Sequence, residues 1–214
     1  MSEGSQWQPG VVHPPLTRRE TQAQTRARLV AAAAQVFSTR GFAPSSLRQV
    51  AEEAGLTTGA IYSNFQSKAE LAVAVLDEQL HRPQYDIFGR VDGSLPYDEQ
   101  LRQASKLLVS ELDAGAPWFQ LELECIQAAR TDSALAERLR ERHDAIRDEL
   151  AQRMAERLTE IGARSSIPLP QLAETLMATT NGIALTRLYA PGALAEEAIQ
   201  HVLLAIYAAS ITID

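Results

Sequence analysis

Apolar positions recur along nearly the whole chain at intervals of three and four. No run of alternating β-branched residues competes with them, so the pattern predicts an all-α fold. Leu29, Ala33, Val36 and Phe37 share one face of a first helix that ends at Arg40-Gly41. Ser46-Leu47-Arg48-Gln49 has the spacing in which hydroxyl and amide satisfy each other's backbone donors, and it opens a second helix with Leu47, Val50, Ala51 and Ala54 inward. Gly55 stops that helix and Thr57 offers a new cap two residues on, so a third helix, about 57–64, leaves at an angle. Ser67-Lys68-Ala69-Glu70 repeats the capping pattern and opens a fourth helix through Leu71, Val75 and Leu80 to a stop before Pro83.

Residues 83–97, with Gly89, Gly93 and Pro96, read as a loop or a broken turn. Helices follow over 98–113 with Leu101, Leu108 and Leu112 inward, over 117–130 with Pro117 at the first position, and over 133–161. The last of these carries Leu135, Leu139, Ile146, Leu150, Met154, Leu158 and Ile161 on one side, has Asp144/Arg147 and Glu149/Arg153 on another, and ends at Gly162. Past the break at Ile167–Pro170 come helices over 171–189 and 194–213, separated by Pro191-Gly192 and bringing the count to nine. Neither carries a charge between Glu174 and Arg187 or from Ala198 to Ile213, and helices apolar nearly all round must be covered on more than one side. A second copy of the chain, joined as a two-fold four-helix bundle, would cover them through Leu172, Leu176, Thr179, Ile183, Arg187, Ile199, Val202, Leu203, Ile206 and Ser210.

The chain has 214 residues, enough for one large or two small domains that need neither disulfide nor structural metal. Its one cysteine, Cys125, is a thiol, which points to a reducing compartment and so to the cytoplasm. The first sixteen residues carry Glu3 and three prolines without an apolar core, so they read as a flexible arm and not a secretory signal. The apolar stretch Ala198–Ile213 is too short and too polar to cross a membrane. A net charge of −7 argues against nucleic acid until its distribution is considered. Residues 17–68 hold seven basic and three acidic side chains, which leaves −11 on the remainder. A basic front meets phosphates; an acidic rear does something else.

A short helix, a glycine turn and a second short helix can set that second helix into a major groove. Gly55 takes the turn, Leu56 and Ile61 anchor the second helix, and Thr57, Thr58, Gly59, Ala60, Tyr62 and Asn64 stay outward. Phe37-Ser38-Thr39-Arg40-Gly41-Phe42, then Ser45 to Ala51, then Gly55 to Leu71 resemble the signature of the tetracycline-repressor (TetR) family of bacterial transcription regulators. Thr58 stands where many members carry Lys or Arg, which lowers the expected attraction to phosphate, and Gln66 stands where Pro, Gly or Lys is common. The resemblance implies a three-helix DNA-binding head at 21–66 behind the arm at 1–20, and a helical effector-binding and dimerising body at 67–214. It implies a homodimer, double-stranded palindromic operator DNA as partner, and release of that DNA by a small molecule. By position, Ser46 and Thr57 would offer hydroxyl and backbone donors to phosphates, Tyr62, Asn64 and Lys68 would contact phosphates, and Arg48 would read a guanine. Thr58 and Ala60 would meet thymine methyls, Gly59 would let the backbone approach, and Arg18 and Arg19 on the arm would reach a minor groove.

For the rear, the resemblance implies a ligand among the middle helices. Trp118, Phe119, Glu122 and Cys125 fall on the sixth helix, and Tyr97, His143 and Asn181 can join them around an apolar or cationic effector. The rival readings are a helical enzyme and a redox sensor built on Cys125. Glu78-x-x-His81 lacks the second such motif that a di-iron bundle needs, Glu197 and His201 lack a third metal ligand, and the nucleophile and zinc-protease motifs are missing. The expectation is therefore a regulator that is not an enzyme and uses neither cofactor nor metal.

Overall fold

The turn at Gly55 fixes the geometry of the front of the molecule. Gly55 adopts φ 62° and ψ 36°, in the left-handed region. There its N–H bonds Glu52 O at 3.1 Å while the N–H of Leu56 bonds Ala51 O at 2.9 Å, a Schellman pair that closes one helix and aims the next. The computed structural model describes residues 18–80, 87–114 and 116–213. Before the turn lie α1 (Arg18–Arg40) and α2 (Leu47–Ala54), and after it α3 (Thr58–Tyr62) and α4 (Lys68–Leu80). The Ser46/Gln49 capping box opens α2, and Thr57 caps α3 through Ala60 N. At the start of α4 the box is widened by one residue: Ser67 Oγ accepts from Glu70 N, but Glu70 Oε2 reaches back to Gln66 N.

The rear comprises α5 (Ile87–Arg90), α6 (Tyr97–Ala114), α7 (Ala116–Ala129), α8 (Ser133–Glu160), α9 (Leu169–Tyr189) and α10 (Glu196–Ser210). Against the all-helix expectation, Ala163–Ser165 (β1) pairs antiparallel with Ile211–Ile213 (β2). Three residues are too few to show alternation, and the β-branched run Ile211-Thr212-Ile213 prefers the ladder to a last helical turn. The final helix therefore ends at Ser210, and a helical turn, α5, interrupts the segment expected to be loop. Arg18 and Arg19 lie inside α1 and not on an arm, so no extended segment carries them into a minor groove.

Two apolar cores organise the chain. The first joins Leu29, Val36, Phe37, Val50, Ile61 and Phe65 to Leu71 and Val75 of α4, and continues into Leu121 and Cys125 of α7 and Leu135 of α8. The front helices thus share one core with α4 and the near ends of α7 and α8, across the expected division at 66/67. The second core holds Val109, Ala151, Met154, Leu172, Leu176, Ile183, Ile199 and Leu203. On α6 the buried positions are Gln100, Ser105, Val109 and Glu111, whereas Leu101, Leu108 and Leu112 are only half-buried.

Six of the ten residues expected at a dimer interface belong inside the protomer: Leu172, Leu176, Ile183, Ile199, Leu203 and Ser210 are buried by the chain itself. Thr179, Arg187 and Ile206 are half-buried, and of the ten only Val202 is exposed. Helices without charge give no clue to which side turns inward. The face left uncovered is Ala178, Gly182, Leu185, Leu188 and Tyr189 on α9 with Val202, Ala205 and Ala209 on α10. Replacing Gly55 by Ala forces a Cβ into the left-handed region and is expected to cost about 1 kcal/mol, with Gly55→Asn costing less, as measured by urea denaturation.

Candidate nucleic-acid interface

Ile61, fully buried, pins α3 to the first core, and the pinning leaves the opposite side of the helix in solvent. Thr57, Thr58 and Gly59 are exposed, Tyr62 is 62% exposed, and Ala60 and Asn64 are half-buried. The N-terminal end of α3 thus presents hydroxyls, a methyl and bare backbone on a convex edge, a surface that fits the major groove. Ser46 is exposed at the start of α2, two residues before the exposed Arg48. Arg48 Nε pairs with Glu52 Oε1 at 2.9 Å with both side chains largely in solvent, an (i, i+4) contact weak enough to exchange for a base or a phosphate. Asn64 Nδ2 donates to Ala60 O at 2.8 Å, which ties it to the end of α3.

Lys68 does something different from the phosphate contact expected of it. Its Nζ donates to Phe42 O, Ala43 O and Ser45 O at 2.8, 3.1 and 2.9 Å, and it sits 4.3 Å from the centroid of the Phe42 ring. All three ammonium hydrogens are engaged, and burial lowers the Lys68 pKa. Two arginines have parallel roles. Arg28 donates to Ala54 O at 2.8 Å, and Arg26 donates to Asn64 O at 3.1 Å while stacking on Phe65. Three of the seven basic side chains that marked the front in the sequence therefore bond backbone carbonyls of the chain itself, Arg26 and Arg28 at the surface and Lys68 half-buried. Sequence counting registers such charges, but tertiary geometry decides what they face.

Across the same loop, Glu124 of α7 accepts a short hydrogen bond from Phe42 N. Gly41, at φ 81°, has no room for more: a Cβ there would lie 3.1 Å from Glu124 Oε2. Arg142 of α8 bonds Asp77 of α4 at 3.0 Å and Glu122 of α7 at 2.8 Å, joining three helices beneath the front.

The residues expected to form one effector site are spread over separate places. Tyr97 lines a cavity of 440 Å³ with Gln100, Arg153, Arg157 and Tyr207. Phe119 borders a 320 Å³ hollow with Leu188 and Gly192. Glu122, His143 and Asn181 do meet, around a third hollow of 460 Å³, where His143 Nε2 lies 2.9 Å from Glu174 Oε2. Trp118 packs against the first core and Cys125 is fully buried within it. Burial, assisted by Glu122 and Glu124, pushes the Cys125 thiol up to about 12, which leaves almost no thiolate to act as a redox sensor. Sequence reasoning missed Gln100, Arg157 and Tyr207; the signal for Tyr207 was a single phenol among the aliphatic residues 202–209. Among the described residues no three His, Cys, Asp or Glu side chains gather as a metal site, and no helix is long and apolar enough to cross a membrane. His81 lies outside the described residues.

A helix-turn-helix with its second helix exposed at the N-terminal end, carried on a helical body, defines a DNA-binding regulator. The match to known families agrees. Residues 29–75 match the model for bacterial regulatory proteins of the tetR family, and residues 97–211 match the BetI-type transcriptional repressor C-terminal domain. The chain belongs to the TetR family of transcriptional regulators. It is 42% identical over 93 residues to the HTH-type transcriptional regulator TtgR of Pseudomonas putida, a match covering 44% of this chain and 43% of TtgR. The A-factor receptor protein of Streptomyces griseus is 27% identical over 113 residues, covering 48% of this chain and 41% of the receptor. The chain thus spans less than half the length of these relatives. A TetR-family regulator from Mesorhizobium loti has the same fold, with a TM-score of 0.68 at 18% identity over 91% of this chain and 96% of that one.

If the Lys68 ammonium is structural, Lys68→Ala leaves three carbonyls at the α1–α2 loop without their donor. It is expected to lower unfolding free energy by about 1–3 kcal/mol, whereas Arg48→Ala is expected to leave stability within about 0.5 kcal/mol; thermal and urea melts of the two variants check the contrast.

Proposed function

We propose that this chain is an effector-responsive repressor that works in the cytoplasm as a homodimer, each head setting α3 into one of two successive major grooves of a palindromic operator. The observation that carries the reading is the edge formed by Thr57, Thr58, Gly59 and Tyr62, exposed because Ile61 is fully buried beneath it. In this reading Ser46 and Thr57 hold phosphates at helix starts, Tyr62 adds a side-chain contact, and Arg48 exchanges Glu52 for a guanine. Thr58 and Ala60 meet thymine methyls and Gly59 admits the backbone. Residues 21–66 act as the reading head and 67–214 as the effector-binding and dimerising body. With Arg26, Arg28 and Lys68 engaged internally, affinity depends on two heads binding at once and falls steeply with salt.

The dimer forms through the uncovered face of α9 and α10. That face combines small residues, Ala178, Gly182, Ala205 and Ala209, which allow close helix approach, with Leu185, Leu188, Tyr189 and Val202, which otherwise leave apolar surface in water. The effector occupies a cavity of the rear helices and acts through α4, which shares the first core with the head. A coupling of about 1–3 kcal/mol between the two sites is sufficient.

Gel-shift titration against the DNA immediately upstream of the chain's own coding sequence is expected to give a complex of two chains per site. Arg48→Ala is expected to weaken it about tenfold or more and to relax preference at one base pair; unchanged affinity and preference would remove Arg48 from base reading, and no complex on any palindromic fragment would remove the function. Placing a charge in the proposed interface, Leu185→Glu, is expected to yield monomers by light scattering and to abolish the shift while the melting temperature of the protomer's helices stays measurable.

A further inference from the structure

Two chambers meet inside the rear bundle. The outer one, 440 Å³, opens beside the α5–α6 connection, and the inner one, 160 Å³, lies among α6, α8, α9 and α10. Val91, Leu101, Ala104 and Tyr207 line both and form the neck between them. The inner walls are aliphatic, and their few hydroxyls are already satisfied: Thr180 donates to Leu176 O and Met177 O, and Ser105 to Arg102 O. Beyond the Tyr207 phenol at the neck, nothing polar is on offer there.

The outer mouth is polar, and its two arginines are paired, while Glu156 beside them accepts from Gln152 Nε2 at 3.0 Å. Arg157 bonds Glu160 at 2.6 Å and also Gln100 Oε1, while Arg153 bonds Glu149 at 3.0 Å. Gln100 Nε2 donates to Gly93 O and Leu95 O, which fastens the α5–α6 connection over the opening. An anionic ligand would have to break one of these ion pairs, and a cationic one meets Glu156 and Glu160 in the outer chamber only, with no carboxylate lining the inner one. The phenols of Tyr97 and Tyr207 remain. Among the described residues neither hydroxyl makes a hydrogen bond within the protein, although both line the cavity. Burial raises both phenol pKa values, most for Tyr207, so each stays an O–H donor throughout the physiological range. A hydroxyl without a protein partner seeks an acceptor, and the cavity that both phenols line has room for one.

We propose that the double chamber binds an uncharged, elongated apolar molecule with one hydrogen-bond acceptor, its aliphatic arm in the inner chamber and its acceptor oxygen on the Tyr207 hydroxyl at the neck. The proposal rests on the effector-responsive reading above and gives it a ligand class.

Isothermal titration of the full chain with nonan-2-one, nonanoate and nonyltrimethylammonium tests it in the absence of DNA. The ketone is expected to bind, with the two ions about tenfold weaker or worse. Tyr207→Phe, which keeps the ring and removes the donor, is expected to weaken the ketone about five- to tenfold, and Ala104→Leu, which fills the neck, to abolish its binding. Either ion binding as tightly as the ketone, unchanged ketone affinity in Tyr207→Phe, or no heat with any probe overturns the proposal. Binding that survives both substitutions would place the ligand outside the double chamber and overturn it equally. Failure of the operator shift would leave all these readings standing, because none involves DNA.

Discussion

Short helices cannot hold themselves together, and the front of this molecule is built from two of them. With eight residues in α2 and five in α3, both are far below the length at which a helix is stable alone. Their shape depends on cations brought from neighbouring elements to the carbonyls left over where helices end or loops begin. Arg28 serves the end of α2, Arg26 the segment after α3, and Lys68 three carbonyls of the α1–α2 loop. These bonds run from α1 and α4, the two longer helices of the front, so the reading edge is a rigid extension of a frame and not an independent motif. Fixing α3 by buried contacts on one side is also what frees its other side for a groove.

The same frame extends backward. Glu124 of α7 grips the loop that Lys68 of α4 grips from the other side, so Phe42 is held through its N–H and its carbonyl by two different helices. Arg142 then ties α8 to α4 and α7 through Asp77 and Glu122, and Arg138 lies 3.8 Å from Glu70. Because one arginine answers two carboxylates on separate helices with little solvent around it, shifting any of the three disturbs both bonds. The head is thus joined to the body by directional contacts as well as by a continuous apolar core.

Local rules were legible in the sequence where their partners are local. The Ser46/Gln49 box, the stop at Gly55 and the cap at Thr57 involve residues within five positions of one another, and each stands where spacing puts it. The exposed edge of α3 followed from the same spacing. What the sequence hid depends on distant partners. Lys68 looks like a free cation until Phe42, Ala43 and Ser45 are folded against it, and Cys125 and Tyr97 look like neighbours in a pocket until α7 turns one inward to the first core while α6 directs the other to the outer chamber. The charge-free helices posed a sharper difficulty, since α9 and α10 have no polar stripe to orient them. Leu172 and Leu185 are equally apolar, and only packing on α8 and α6 sends one inward and leaves the other in water.

One element touches every part of this arrangement. Helix α8 has 28 residues, about 42 Å of continuous rod. Near its start Leu135 is fully buried in the core that carries α3, about two turns further Arg142 grips α4 and α7, and near its end Met154, Arg157 and Leu158 line the outer chamber. A helix bends little over this length, so a molecule that displaces the chamber end must tilt or slide the other. The end it moves is the one that holds Asp77 of α4 in place. Packed cores and paired charges respond to such a load by switching between arrangements and not by yielding gradually, and in the proposed dimer this is the route by which a ligand in the chamber would alter the spacing of the two heads.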